Sequence, residues 1–260
     1  VYSKKIYSSV LYTTPSICEI LSYLIKTLIY IIKKTHRKVF GRYFRWNVAF
    51  QYLDDWKSAV LWKSQVINNP PFRFLADPFI ASENDNSIMF VEDFDFKLSR
   101  GRISAYEVFP KGYKELGIVL DEDFHLSFPF LFRDGGNLYM VPESHQNLDI
   151  RLYRCSKFPL MWTLDTILMK GISSADTMIF KFGTKWWLFT NQDSSELGDH
   201  NSELHIYFSD TLATEDWKSH PQNPVIFDSS QSRNGGLIQN EEGIFRIFQR
   251  QGFDMYGKSM

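Results

Sequence analysis

The chain has 260 residues, of which 44% are hydrophobic and 17% aromatic, and its formal net charge is −1. This length and apolar content suffice for one large all-β domain or for two smaller domains, and the many aromatic side chains favour strands. The small net charge argues against nucleic-acid binding, and the two cysteines, Cys18 and Cys155, show neither metal-ligand nor disulfide spacing.

An amphipathic helix is predicted near the start of the chain. Thr13-Thr14-Pro15 offers hydroxyl caps and a proline at the first helical position, and the apolar residues from Ile17 to Ile32 then follow a 3.6-residue period. Lys26 interrupts this run, which is shorter than the roughly 20 apolar residues of a membrane span. We predict that the helix packs against the rest of the protein. The alternative is a helix on a membrane surface, because the cationic run at 33–38 would meet anionic lipid.

The sequence changes character after this helix. We predict that residues 1–43 are a linker, the tail of an upstream region, and that residues 44–260 form a separate domain that is incomplete at its C-terminal end. No signal peptide is recognisable, and two cysteines without a pairing pattern fit a reduced compartment. The expected location is therefore cytoplasmic, with membrane association through the helix as the alternative.

A sequence pattern of about 50 residues occurs four times in the predicted domain. Each copy begins with an apolar strand start, and these are Asp77-Pro-Phe-Ile, Phe128-Pro-Phe-Leu, Asp176-Thr-Met-Ile and Asn234-Gly-Gly-Leu. Fifteen residues later a polar residue ends a second apolar run, and these residues are Glu92, Glu143, Asn191 and Gln249. A repeat of this length built from short strands is typical of a β-propeller with one blade per copy.

Alternating apolar runs and turn residues predict four strands in each of the first three blades. They are 77–82, 88–93, 102–108 and 115–120, then 128–132, 138–143, 150–155 and 162–168, then 176–181, 185–190, 204–209 and 217–227. The fourth blade begins at Asn234 and is cut short. We therefore expect an all-β, five-bladed propeller, truncated here to about three and a half blades. Trp46 to Phe50 is predicted to be a strand, and the segment from Trp56 to Ile67 is predicted to close the ring by joining the last blade, which would remove a sheet edge.

Four carboxylates are expected to meet where the inner strands converge, and they are Asp77, Glu92, Glu143 and Asp176. Clustered carboxylates push their pKa values apart, so that one can act as acid and another as base, as glycosidic chemistry requires. No cofactor is predicted, although the same cluster offers oxygen ligands for a divalent cation. The structural alternatives are that Asp77 and Asp176 only begin strands and that Glu92 belongs to an acidic loop.

Five residues are predicted to bind substrate: Glu92, His125, Arg233, Gln249 and Arg250. A histidine could hydrogen-bond a sugar hydroxyl or exchange a proton near neutral pH. An arginine facing the carboxylates could keep one of them ionised or bind an anionic group such as phosphate. A structural role for His125 and a plain ion pair for Arg233 are the alternatives. The sequence has no glycine-rich phosphate loop and no metal-type Cys/His spacing.

Several motifs occur in a fixed order between residues 46 and 257: FLADPFI, IMFVED, HLSFPFLF, LYMVPES, SADTMIF, WWLF and SRNGG. Together they resemble the N-terminal five-bladed propeller domain of the plant glucosamine inositolphosphorylceramide transferases, which also occurs in bacterial proteins. That family is distantly similar to the arabinanase, levansucrase and invertase propellers of glycoside hydrolases. The resemblance implies that Asp77 is the base or nucleophile, with Asp176 as the second aspartate and Glu143 as the acid. Phe128 stands where arabinanase-like enzymes have an aspartate.

The residues and the resemblance together predict a carbohydrate-active propeller that transfers or cleaves a glycosyl group in glycan or glycolipid assembly. Asp176 would orient the sugar or stabilise charge. The expected partners are a sugar, glycan, nucleotide sugar or glycolipid and a fused catalytic domain, and nucleic acid is not expected. One alternative is a non-catalytic module that binds a glycan or nucleotide sugar for a fused transferase. Another is a protein-binding scaffold, which would be favoured by a channel lined with apolar side chains.

Overall fold

The computed structural model of the protein describes residues 14–40, 45–253, 256, 257 and 259. Within them it contains a long helix, α1 (Ile17–Val39), and seventeen strands that form five antiparallel sheets in chain order. The first sheet comprises β1 (Val48–Phe50) and β2 (Gln65–Ile67), and the second comprises β3 (Arg73–Glu83), β4 (Asn86–Asp95), β5 (Arg100–Phe109) and β6 (Gly112–Leu120). The third comprises β7 (Ser127–Asp134), β8 (Asn137–Glu143), β9 (Asp149–Lys157) and β10 (Met161–Lys170).

The fourth and fifth sheets are formed by residues 174–249. The fourth comprises β11 (Ser174–Phe182), β12 (Lys185–Gln192), β13 (Glu203–Ser209), β14 (Lys218–Ser219) and β15 (Ile226–Phe227), and the fifth comprises β16 (Arg233–Asn240) and β17 (Gly243–Gln249). The predicted strands of the first three repeats are confirmed, with one correction. The predicted outer strand at 217–227 is divided into β14 and β15, because the Asn223 side chain takes both backbone bonds of Ile206 between them.

The core lies between consecutive sheets. One buried cluster joins Val48, Phe50 and Ile67 of the first sheet to the second, and another joins Phe90 and Ile103 of the second to the third. A further cluster fills the space between the third and fourth sheets. Each sheet therefore packs its faces against its neighbours in the chain, as the blades of a propeller do.

The first strand of each of the last four sheets lies on the inside of this arrangement. β3 contacts β7, β7 contacts β11, and β11 contacts β16. Phe128, Phe130 and Met178 are buried between these strands, and Phe79 and Leu237 pack against them. We call this group the aromatic plug. The inner strands thus converge, as the repeat pattern predicts.

The strand predicted at 46–50 is present as β1, but the segment from 56 to 67 differs from its prediction. Residues Trp56–Ser58, expected to begin an outer strand, form a 3-10 turn, because Asp55 accepts from the Lys57 amide and caps it. Strands β1 and β2 pair with each other. The segment meets the fifth sheet through side chains: the rings of Trp56 and Phe245 are 6.3 Å apart, and Lys57 Nζ lies 2.7 Å from Glu242. It therefore lies between the second and fifth sheets.

Helix α1 begins two residues later than the sequence suggests, at Ile17 rather than at Pro15. Ser16 Oγ accepts from the Glu19 amide at 3.3 Å, and Glu19 Oε2 accepts from the Ser16 amide at 2.7 Å. These reciprocal bonds form a capping box. Pro15 therefore precedes the cap, and Thr13 lies outside the described residues.

The prediction that α1 packs against the protein is wrong. Its apolar side chains point into solvent, and Leu24 and Leu28 are 55% and 59% exposed. The helix meets the sheets at the Tyr23 ring, whose centroid lies 6.0 Å from that of Phe253. None of the described helices combines the length and apolarity needed to cross a bilayer.

Candidate active site

The inner strands all carry a β-bulge at the repeated motif. In the first repeat Ala76 pairs with Glu92 and Phe79 with Phe90, so Asp77 and Pro78 together face one residue of β4. The second and third repeats have the same shift, and in the fourth the shift lies at Asn234–Gly236. The repeat register read from the sequence is therefore also a backbone register. Bulges turn side chains out of the regular alternation and occur beside active sites.

The residue that opens each bulge in the first three repeats has positive φ. The angles are 49° at Asp77, 44° at Phe128 and 49° at Asp176. This region is uncommon for residues other than glycine, and for a bulky side chain such as Phe it is a clear outlier. Strained backbone of this kind persists where the surrounding structure fixes it, and it concentrates at functional sites.

On the second strand of each repeat, a buried polar residue pairs with the inner strand just ahead of its bulge. These residues are Glu92, Glu143, Asn191 and Gln249, and all four are less than 9% exposed. They are the polar residues that the sequence places fifteen positions into each repeat. The same backbone geometry thus brings one polar side chain from each of four sheets to the same end of the inner strands.

Arg233 joins two of the predicted carboxylates. Its Nε lies 2.6 Å from Asp176 Oδ2, and its Nη2 lies 3.3 Å from Asp176 Oδ1, so the pair is bidentate. The same Nη2 lies 4.0 Å from Glu143 Oε2. The Asp176 amide also donates to Glu143 Oε2 at 3.3 Å, and Gln249 Nε2 donates to Asp176 at 3.4 Å. Because two carboxylate oxygens share one nitrogen, they are at most about 7 Å apart, which is within the range of paired carboxylates.

Asp77 is half-buried beside this pair. Burial raises the pKa of its carboxyl to about 6, and the negative charge of Glu143 adds to the rise while Arg233 opposes it. The Phe128 amide donates to the same carboxylate. Asp176, by contrast, has a side chain only 2% exposed, and the guanidinium occupies both of its oxygens. Asp77 is therefore the more accessible of the two aspartates.

Glu143 has the opposite electrostatic character. Burial alone would raise its pKa, but the hydrogen bond from His145 Nδ1 at 2.7 Å and the charge of Arg233 lower the pKa to about 2. Burial raises the pKa of Glu92 well above its usual value, and repulsion from Asp77, Glu143 and Asp176 raises it further. The four carboxylates thus lie within electrostatic reach of one another, with pKa values pushed in opposite directions.

Three histidines lie beside the carboxylates. The Gly101 amide donates to His125 Nδ1 at 2.8 Å, so Nε2 carries the proton and faces Glu92 Oε1 at 3.6 Å. Burial lowers the pKa of His125. The ring centroids of His125 and His145 are 6.3 Å apart, and those of His145 and His200 are 5.4 Å apart. The imidazoles form a polar rim on one side of the carboxylates.

Comparison with known proteins shows the family. A family model described as "Glucosamine inositolphosphorylceramide transferase 1, N-terminal" matches residues 58–260. The chain belongs to this N-terminal domain family. The enzyme of that name from Oryza sativa subsp. japonica is 36% identical over 178 residues, which are 66% of this chain and 24% of the rice protein. The one from Arabidopsis thaliana is 36% identical over 195 residues, 72% of this chain and 25% of that protein. The chain spans about a quarter of the length of these curated relatives.

Solved structures show the fold of this glucosamine inositolphosphorylceramide transferase N-terminal domain. An exo-β-1,3-galactanase from Phanerochaete chrysosporium matches with a TM-score of 0.57 and 13% identity, over 72% of this chain and 44% of that chain. A family 117 glycoside hydrolase from Zobellia galactanivorans also has a TM-score of 0.57, with 12% identity, over 81% of this chain and 70% of that chain. The domain shares a β-propeller fold with these structures, and at these identities the likeness concerns the fold alone.

The site of this transferase-family domain also contains residues that the sequence analysis did not identify. The Arg233 guanidinium lies over the Tyr256 ring, 3.8 Å from its centroid, and donates to Asn201 Oδ1 at 3.1 Å. His200 bonds Ser173 Oγ at 2.9 Å. These residues stand outside the repeated motifs and carried no signal. His145 follows Glu143 by two positions, and that proximity to a repeat carboxylate could have revealed it.

The structure also bears on two other predictions, substrate binding by Arg250 and a divalent cation held by the carboxylates. Arg250 is exposed, and the contact described for it is a backbone bond to Ser259, so it lies apart from the carboxylates. Among the described residues, no group of three or more His, Cys, Asp or Glu side chains is arranged to hold a metal ion. Arg233 places a positive charge beside Asp176 and Glu143.

The channel of this propeller changes character along its length. Beyond the aromatic plug lies a cavity of about 660 Å³, lined by residues of all four inner strands, among them Phe79, Phe130, Phe180 and Leu237. The plug itself is apolar, as the scaffold alternative predicts, but the cavity is also lined by Arg133, Asp134 and Lys181. The opposite end, which holds Arg233 and the carboxylates, is polar and buried.

Replacing His145 with Gln is expected to lower the free energy of unfolding more at acidic than at alkaline pH. The hydrogen bond to Glu143 raises the pKa of His145. The imidazolium therefore contributes stability that is fully present below the unfolded-state pKa of about 6.5 and is lost as the pH rises through the folded-state value. Glu143, with a pKa of about 2, stays ionised across this range. Urea unfolding at about pH 5.5 and about pH 9 measures the difference.

The matched control is His220→Gln. His220 Nδ1 accepts a backbone bond from Gln222 in a loop of the fourth sheet. Its replacement is expected to change stability by similar amounts at both pH values. An effect of His145→Gln that does not shrink toward alkaline pH would contradict an imidazolium paired with Glu143.

Proposed function

We propose that this chain is a carbohydrate-active propeller domain that transfers or cleaves a glycosyl group. The observation that carries the proposal is the contact among the repeats: Arg233 holds Asp176 and Glu143 together beside the half-buried Asp77. Acids that are distant in the sequence thereby become neighbours with divergent pKa values. Such a pair is what glycosidic chemistry needs.

The pKa values favour a revised assignment of roles. A carboxyl with a pKa of about 6 can exchange protons near neutral pH, which suits Asp77 to general acid–base work. A carboxylate with a pKa of about 2 stays ionised, which suits Glu143 to stabilising positive charge or to nucleophilic attack rather than to the acid role inferred from the sequence. Asp176 then positions Arg233 and Glu143.

Arg233 is assigned to the site's framework rather than to a substrate phosphate. Its side chain is only 10% exposed, its nitrogens are bonded to Asp176 and Asn201, and Tyr256 covers its face. Little of the guanidinium is left for a ligand. The groups that remain for sugar hydroxyls are Asp77, Glu92 and the histidines of the rim, and carboxylates and imidazoles suit hydroxyls well.

We further propose a five-bladed ring, with residues 44–260 as the domain. Four sheets converge through β3, β7, β11 and β16, and the sheet of β1 and β2 lies between the second and fifth sheets. That position is where a fifth blade belongs. The domain would serve a sugar-transfer reaction together with other parts of a longer protein, as the names of the curated relatives suggest.

A second candidate is a module that binds a sugar or nucleotide sugar without reacting. Asp176 accepts hydrogen bonds from Arg233 and Gln249, and this favours the binding module. A carboxylate whose oxygens are already bonded stabilises the site but is not free to react with a substrate. This candidate keeps the same site and the same class of ligand. It differs in predicting affinity without turnover.

The experiment is a paired screen on the purified chain. UDP-N-acetylglucosamine and a set of p-nitrophenyl glycosides are tested for binding by saturation-transfer NMR and for product by mass spectrometry. Product that disappears in Asp77→Asn supports the enzyme, whereas saturation transfer without product supports the binding module. Sugar signals that are the same for the native chain and for a variant with Glu92 and Glu143 both changed to Gln would contradict both.

A further inference from the structure

Helix α1 presents a continuous apolar face that nothing in the described structure covers. Leu21, Leu24, Leu28 and Ile32 are 53%, 55%, 59% and 59% exposed. At 3.6 residues per turn these side chains lie on one side of the helix, and the exposed Ile25 and Ile29 widen the apolar face beyond a coiled-coil seam. A stripe of this size left in water is unfavourable and marks an interaction surface.

The opposite side of α1 faces the propeller. Thr27 is the half-buried residue of the helix, and Tyr23 meets Phe253. Both residues lie on the side of the helix away from Leu28 and Ile32. The helix is thus oriented with its polar side toward the sheets and its apolar side outward, which is the reverse of a helix that packs on its own domain.

The charges of α1 are cationic and lie beside the apolar stripe. Lys26, Lys33, Lys34 and Arg37 are exposed, whereas the acid of the first turn, Glu19, is engaged in the capping box. Lys34 Nζ lies 5.8 Å from the centre of the Tyr30 ring. Long cationic side chains can extend to phosphate groups while their stems follow an apolar surface. Such a face complements anionic lipid in both polarity and charge.

We propose that α1 lies in the interface of an anionic lipid bilayer, with its Leu and Ile face in the acyl region and its lysines at the headgroups. The helix lacks the apolarity to cross a bilayer, so it lies parallel to the surface. Pairing with α1 of a second copy fits less well, because the exposed Ile25, Ile29 and Ile32 lie outside the Leu21, Leu24 and Leu28 seam and would stay in water. The proposal stands apart from the sugar chemistry, since it uses no residue of the candidate active site.

The test is flotation of the full chain with lipid vesicles. Vesicles of phosphatidylcholine alone are compared with vesicles containing about 30% phosphatidylglycerol, at low and at high salt. The chain is expected to float with the anionic vesicles and at least tenfold less with the neutral ones. Reversing two charges with Lys33→Glu and Lys34→Glu is expected to lower the partition coefficient about tenfold or more.

A double variant, Leu24→Glu with Leu28→Glu, is expected to abolish flotation. Both residues are exposed, so the fold is retained, and circular dichroism checks this. The matched control is Leu197→Glu, at a residue that is 87% exposed in a loop of the fourth sheet, and it is expected to float like the native chain. Native chain that stays unbound on anionic vesicles would overturn the proposal. So would a concentration-dependent dimer in sedimentation equilibrium that is lost in the double variant.

Discussion

Asp77→Asn is expected to reduce the turnover of a sugar substrate by about 10²–10⁴-fold, the usual contribution of a general acid or base. Asp77 is the half-buried aspartate beside Glu143, and its pKa of about 6 suits proton exchange. Asn has the same shape and tolerates the positive φ of 49° found there, so the bulge is retained. The measurement is kcat with the substrate that the screen identifies, together with its affinity by calorimetry.

The matched control is Asp85→Asn, in the turn between β3 and β4. Asp85 is exposed and has a φ of 66°, so this change repeats the same chemistry at a similar backbone conformation. It is expected to leave turnover and affinity unchanged. A fully active Asp77→Asn variant, or an equal loss in both variants, would remove Asp77 from the reaction.

Arg233→Met is expected to cost about 3–5 kcal/mol of unfolding free energy, the usual penalty for removing one partner of a buried ion pair. Its guanidinium is the cation bonded to Asp176 and lies 4.0 Å from Glu143. Without it, Asp176 would remain buried with no opposing charge, and Glu143 would keep only His145 as its cationic partner. Urea unfolding followed by tryptophan fluorescence measures the loss.

Two further variants make this prediction specific. Adding Asp176→Asn to Arg233→Met removes the stranded charge and is expected to restore part of the lost stability. Lys185→Met breaks the exposed ion pair with Asp210 and is expected to change the free energy of unfolding only slightly, because water screens the pair. If Arg233→Met costs no more than Lys185→Met, the buried network does not hold the site together.

Much of the site could be predicted because the fold repeats. The positions of Asp77, Phe128, Asp176 and Asn234 align by pattern alone, and the strands carry bulges at those positions. The bulge itself was not visible in the sequence. A period of two along a strand reports which face is apolar, but it does not report a residue that steps out of the alternation.

The rest of the site depends on contacts that no repeat encodes. Tyr256 and Asn201 reach Arg233 from loops, and loop geometry follows from the whole fold rather than from local pattern. The error over α1 has a related cause. Its period of 3.6 correctly predicted an amphipathic helix, but amphipathicity does not say whether protein, lipid or a second copy covers the apolar side.

The aromatic plug separates the acidic end of the inner strands from the 660 Å³ cavity. Phe128 and Phe130 are 2% and 4% exposed, and Phe130 lines that cavity. With the plug in place, a molecule that reached Asp77 would have to leave on the side from which it came. In a two-substrate reaction, the leaving group would therefore have to dissociate before the next donor could bind. The order of release and binding would then follow from the geometry of the site.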